Sequence, residues 1–302
     1  MAQPIDRARR AVGAVRRRLP GGTATSGRSA DGSTDGATEA ELRTRLRAAR
    51  RRLAKQQARS ERLREELVAT RDSLRDPFPE LEVPDRVEQV IASVRAQGLS
   101  YLKAPDLRML ARVVAESDLS GREGAVLECG TARGGSAIVM AAAKGPTRPM
   151  RVYDVFGMIP PPSERDGEDV ARRYAAIQSG AARGTGGETY YGYRDDLLGE
   201  VTRSFVEHGV APEEHRVELV QGLFEDTVQV DGPVALAHLD GDWYESTMVC
   251  LERISPHLVP GGRLVIDDYY FWSGCRTAVD EYFAGREGYR LERRARLHVV
   301  RL

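Results

Sequence analysis

The spacing of apolar residues changes character along the chain. Leu46, Leu53, Ser60, Leu67 and Leu74 recur every seven residues, and Leu42, Ala49, Gln56, Leu63 and Thr70 fill the complementary heptad position. Arg and Glu occupy most of the remaining positions. The spacing predicts one helix over 39–75 with a coiled-coil seam, weakened at Gln56, Ser60 and Thr70. A homo-oligomer assembled through that seam is the expected consequence. Pro77, Pro79 and Pro84 end the pattern, because proline lacks a backbone donor and clashes with the preceding turn.

From residue 84 to 302 short apolar runs alternate with helical stretches. Helices are expected over 86–98 and 105–118, a strand over 125–130, then a helix beginning at Gly135. Strands follow over 151–156, 215–222, 234–240 and 263–269, with helices over 194–209, 244–258 and 275–285. Two short strands, 289–294 and 297–302, close the chain as a hairpin. Short continuous apolar strands separated by helices mean an α/β fold, a mostly parallel sheet covered on both faces. A long polar segment, 160–196, interrupts the alternation.

Charge adds a second division. Residues 1–75 hold 19 Lys and Arg against 9 Asp and Glu, and the remainder holds 26 against 36, so a neutral total hides a basic arm on an acidic body. Residues 5–19 place Ile5, Ala8, Val12, Val15 and Leu19 on one helical face among arginines. This stretch reads as a solvated basic arm or as a helix lying on an anionic membrane surface. Residues 20–38 are rich in Gly, Ser and Thr and read as a linker. No nucleic acid is expected as a partner. Cys129, Cys250 and Cys275 lack the CxxC spacing of a metal cluster, which suits a reducing cytoplasm. No apolar run reaches the roughly 20 residues that span a bilayer.

The polar residues gather at strand ends, where ligands bind in open α/β sheets. Glu128-Cys129-Gly130, Asp154, Gln221-Gly222, Asp240 and Asp267-Asp268 end five successive strands. The turn "ECGTARGGSA" is glycine-rich and opens a helix. Its Glu128 would repel a pyrophosphate but suits a cationic ligand such as S-adenosylmethionine. Glu128, Gly130, Gly134, Ser136, Asp154 and Gly222 are therefore the cofactor-binding candidates, with Asp154 placed for the ribose hydroxyls. Asp240 lies one strand–helix–strand excursion before Asp268. Carboxylates at Asp240, Asp267 and Asp268 call for a hard cation, and Mg²⁺ favours oxygen ligands. Asp242 is expected mainly to cap the next helix, and His238 to be a hydrogen-bonded core residue.

The stretches "LECGTARGGSA", "VYDVFGMIPPP", "VQGLFEDTV" and "HLDGDWYESTMVCLERISPHLVPGGRLVIDDYYFWSGCRTAVDEYF" resemble the macrocin O-methyltransferase family. The resemblance implies the class I methyltransferase (Rossmann-like) fold with a seven-stranded sheet. It implies S-adenosylmethionine as cofactor and a hydroxyl of a sugar or glycoside as acceptor. It also implies Mg²⁺ at Asp240, Asp267 and Asp268, with Asp240 as the usual general base. Segment 160–196 and the N-terminal arm lie outside it, so acceptor identity does not carry over. Two other classes compete. "DGD" is a D-x-D triplet of the kind that holds a metal–nucleotide sugar in glycosyltransferases, and the coiled coil alone would suit a non-catalytic scaffold.

Overall fold

The computed structural model describes residues 39–302. The basic arm and linker expected over 1–38 lie outside the described residues. The chain divides into two compact units, one ending at Glu61 and the other running from Arg62 to Leu302. Helix α1, Glu39–Arg75, crosses that division. It has the length that the heptad pattern predicts, and Leu46, Leu53, Leu63 and Leu74 are exposed along it in the single chain. Among the described residues, no helix is long and apolar enough to cross a membrane.

The second unit is built on one sheet. Its strands are β1 (Ala125–Cys129), β2 (Met150–Asp154), β3 (Val217–Gln221), β4 (Val234–Leu239), β5 (Leu258–Ile266), β6 (Tyr289–Arg293) and β7 (Leu297–Arg301), in the order β3-β2-β1-β4-β5-β7-β6. β1 to β5 run parallel, and the terminal hairpin adds β7 antiparallel to β5. Helices α2 (Asp85–Ala96), α3 (Ala104–Leu119) and α4 (Gly135–Ala143) pack together over one face. α2 buries Val87, Val90, Ile91 and Val94, one stripe at helical spacing. α8 (Tyr244–Ile254) and α9 (Ser273–Phe283) cover the other face with Leu251, Ile254 and Val279. α6 (Leu197–Glu207) and the single turn α7 (Phe224–Thr227) precede β3 and follow it.

Three details depart from the sequence expectation. β2 stops at Asp154 rather than 156, because Asp154 Oδ1 accepts from the Phe156 amide at 2.7 Å and turns the chain. β5 begins at Leu258, and "VPGG" bulges within it: Val234 pairs with Leu258, and Leu236 already pairs with Arg263. Segment 160–196 contains a helix, α5 (Glu168–Gln178), whose Val170 and Ile177 pack with Ile159, Tyr190 and Trp243 in a small core of their own. The residues before α2 also belong to the body. Asp76 is buried and pairs with Arg112 at 2.8 Å, and Phe78 lies under the Arg263 guanidinium.

Candidate active site

The sheet reverses its strand order between β1 and β4, the place where open α/β sheets bind ligands. Backbone pairing continues past the strand ends there. Gly222 N donates to Asp154 O at 3.0 Å, Gly130 N to Tyr153 O at 2.8 Å, Asp240 N to Cys129 O at 2.9 Å, and Asp267 N to Leu239 O at 2.9 Å. One ladder thus sets the polar strand ends side by side. Gly130 has φ +88°, and a Cβ there would stand 2.0 Å from the Asp240 carbonyl oxygen, so only glycine lets β1 and β4 end so close together.

Two cavities meet over this edge. One, about 460 Å³ of empty space counting its mouth, is lined by Gly130, Asp154, Ile159, Phe224, Asp240 and Asp242 among others. The second, about 1020 Å³, is lined by Tyr101, Arg173, Tyr190, Tyr191, Trp243, Trp272 and Arg296, with Asp240, Asp242, Asp267 and Asp268 at its floor. Asp240, Asp242 and Ile159 belong to both. Of the aromatic residues near the aspartate pair, Trp243 and Trp272 line the second cavity in an edge-to-face pair, whereas the Tyr269 hydroxyl bonds to Asp280.

The carboxylates divide into two groups. Asp240, Asp242 and Asp268 place ligating oxygens within 4.8 Å of one another. Among the described residues no Lys or Arg pairs with any of the three. Burial and mutual repulsion push Asp240 and Asp268 well above the ordinary carboxylate range, and burial pushes Asp242 up to about 6. Asp242 does not cap α8 as expected. It turns out of the strand at φ +59°, its amide donates to Asp268 Oδ2 at 2.9 Å, and the Tyr244 amide of α8 is taken instead by Asp166 at 2.9 Å. Such a cluster of clashing carboxylates, open to two cavities, fits a hard divalent cation.

Asp267 faces a different set. Its Oδ1 accepts from Arg296 Nε and stands 3.8 Å from His238 Nε2, while Arg296 also lies 3.7 Å from Asp106. Burial alone would raise Asp267, but His238 and Arg296 hold it below the ordinary range. His238 Nδ1 donates to Glu128 Oε1 at 3.0 Å. Burial opposes its charge, yet Asp267 and Glu128 on either side raise it to about 10. Glu128, His238, Asp267, Arg296 and Asp106 therefore alternate in sign across the sheet.

Glu128 is fully buried and bonds to His238 and Thr131, not to the cavity. The parallel register explains this: Glu128 and His238 are direct neighbours on β1 and β4. Gly134, Ser136 and Gly222 are likewise absent from the cavity wall. Gly134 (φ +85°) starts α4 against Val201, and Gly222 (φ +150°) passes close to Thr227. Asp154 does line the first cavity. Its carboxylate accepts from the amides of Thr131, Ala132 and Phe156 at 2.7 to 3.0 Å, and burial outweighs these bonds in raising its pKa. Three donors leave a carboxylate one further acceptor site, enough for one ribose hydroxyl. Arg173, Tyr101 and Arg296 were not legible as site residues, since no motif surrounds them.

The macrocin O-methyltransferase (TylF) family model matches residues 96–289. The 8-demethyl-8-(2,3-dimethoxy-alpha-L-rhamnosyl)-tetracenomycin-C 4'-O-methyltransferase of Streptomyces olivaceus is 36% identical over 175 residues, covering 56% of this chain and 60% of that protein. The demethyldecarbamoylnovobiocin O-methyltransferase of Streptomyces niveus is 32% identical over 168 residues, covering 53% and 58%. The matched part is thus about three fifths of the length of these curated relatives. The solved O-methyltransferase NovP shares the fold, with TM-score 0.57 at 23% identity over 72% of this chain and 96% of that one. With its family match spanning the five parallel strands and nearly all of both cavity walls, the chain belongs to the macrocin O-methyltransferase family.

Proposed function

We propose that this protein is a Mg²⁺-dependent S-adenosylmethionine O-methyltransferase that acts on a sugar hydroxyl of a glycoside. The observation that carries the reading is the carboxylate trio at the junction of the two cavities. Family membership and the sugar-directed names of the relatives support it. The cavity at Gly130 and Asp154 would hold S-adenosylmethionine, which supplies an already activated methyl group. Asp240, Asp242 and Asp268 would hold Mg²⁺, with Asp267 adjoining them, and the ion supplies the positive charge that makes a nearby hydroxyl more acidic.

The chain's own residues do the rest. Asp240 and Asp242 face both cavities, so either carboxylate can orient the acceptor hydroxyl toward the methyl group and take its proton. Ile159, on the wall common to both cavities, helps exclude water from the line of transfer. The aromatic side chains of the second cavity offer faces for a sugar ring. The exposed leucines of α1 would join two copies in a coiled coil, and three buried free cysteines suit a reducing cytoplasm.

The test is mass spectrometry of a glycoside library incubated with S-adenosylmethionine and Mg²⁺, with and without EDTA. A glycoside should gain one methyl group only when metal is free. Methylation undiminished in excess EDTA would rule out the metal role.

A further inference from the structure

We propose that the acceptor carries an anionic group (a carboxylate, sulfate or phosphate) near the hydroxyl that is methylated, and that Arg173 binds it. The inference rests on the methyltransferase reading and adds the chemical class of the acceptor. Arg173 projects from α5 into the wall of the larger cavity. The neighbouring arginines are all engaged. Arg172 pairs with Glu168 at 3.3 Å, Arg194 with Glu200 at 2.6 Å, and Arg133 with Glu188 at 3.0 Å. Arg296, the other cation of the wall, lies between Asp267 and Asp106. Among the described residues, no carboxylate stands within ion-pair distance of Arg173.

Its guanidinium instead lies 5.4 Å from the centroid of the Tyr190 ring, and that ring is buried. A cation–π contact of this kind uses none of the guanidinium's N–H donors and leaves them for a ligand. Arg173 shares the lining of this cavity with Tyr101 and Asp242. A neutral sugar would take only ordinary hydrogen bonds from that guanidinium. An oxyanion there would gain charge-assisted hydrogen bonds that no side chain now provides. The competing role for Arg173 is a counter-charge for Asp242 alone.

Calorimetry separates the roles. Enzyme loaded with S-adenosylhomocysteine and Mg²⁺ is titrated with matched methyl glycosides: glucuronide against glucoside, galacturonide against galactoside, and glucoside 6-sulfate and 6-phosphate against glucoside. At least one acidic member should bind about tenfold or more tightly than its neutral partner, the scale of a charge-assisted hydrogen bond. Arg173→Ala should erase that preference and Arg173→Lys should keep part of it. The acidic set shows which oxyanion is the source. No acidic preference, or a preference that survives Arg173→Ala, overturns the inference. Failure to bind S-adenosylhomocysteine would overturn the methyltransferase reading together with it, whereas binding without acidic preference strikes this inference alone.

Discussion

At the residue scale, Asp268 offers the cleanest probe of the trio. Its carboxylate charge belongs to the cluster, while its Oδ2 also accepts the Asp242 amide. Asparagine keeps an acceptor for that amide and removes only the charge. Asp268→Asn should therefore leave the turn at Asp242 in place and leave S-adenosylmethionine affinity largely intact, since Asp268 does not line the smaller cavity. Methyl transfer should fall by about a hundredfold or more, as expected when a catalytic ion loses a ligand. Unchanged turnover, or a loss explained wholly by weaker cofactor binding, would contradict this. The strand-end aspartates were legible because parallel sheets present their carboxyl edges to ligands. Which of them share a point was not. Asp242 joins Asp240 and Asp268 through a left-handed turn that no pattern announces. Asp267 meets Arg296, 29 positions away on another hairpin, which no local spacing connects.

At the scale of single elements, β7 carries an unusual core residue. His298 is fully buried, and among the described residues neither ring nitrogen has a hydrogen-bond partner. Burial, with Arg263 and Arg294 nearby, lowers its pKa to about 3 from the ordinary 6.5. The sign follows from linkage. Below pH 6.5 the unfolded chain takes up a proton that the folded chain refuses until about pH 3, so stability present above 6.5 is lost as pH falls. The loss from this one group amounts to up to roughly 5 kcal/mol. Denaturant unfolding of the wild type and of His298→Leu across that range should show the gap between them shift in favour of the variant on acidification. A gap that does not change with pH would mean that His298 does not titrate as stated. Periodicity made most elements legible, because continuous apolar runs and the 3.6-residue stripe report burial directly. It failed where local chemistry took over. The Asp154 side chain turned the chain early, and proline and glycine around α5 hid a helix whose core residues, Val170 and Ile177, are only seven positions apart.

At the scale of the whole molecule, the body holds the seven-stranded sheet and both cavities, and the leucines of α1 are exposed in the single chain, as the proposed coiled-coil seam requires. Asp76, Phe78 and the Leu81 carbonyl are bound to the body, so a chain cut to begin at Arg75 keeps every one of those contacts. That chain should remain folded, bind S-adenosylmethionine as the full chain does, and show fewer subunits per particle by light scattering. An identical oligomer in both would mean that the body assembles the protein. We assign the cavity at Gly130 and Asp154 to S-adenosylmethionine rather than to a nucleotide-sugar donor. Calorimetric titration of the full-length protein with S-adenosylmethionine and, separately, with a nucleotide sugar, both with Mg²⁺ present, tests it most directly. Saturable one-to-one binding of S-adenosylmethionine is the predicted result, whether or not the nucleotide sugar also binds through its phosphates. Saturable binding of the nucleotide sugar with none of S-adenosylmethionine would contradict it.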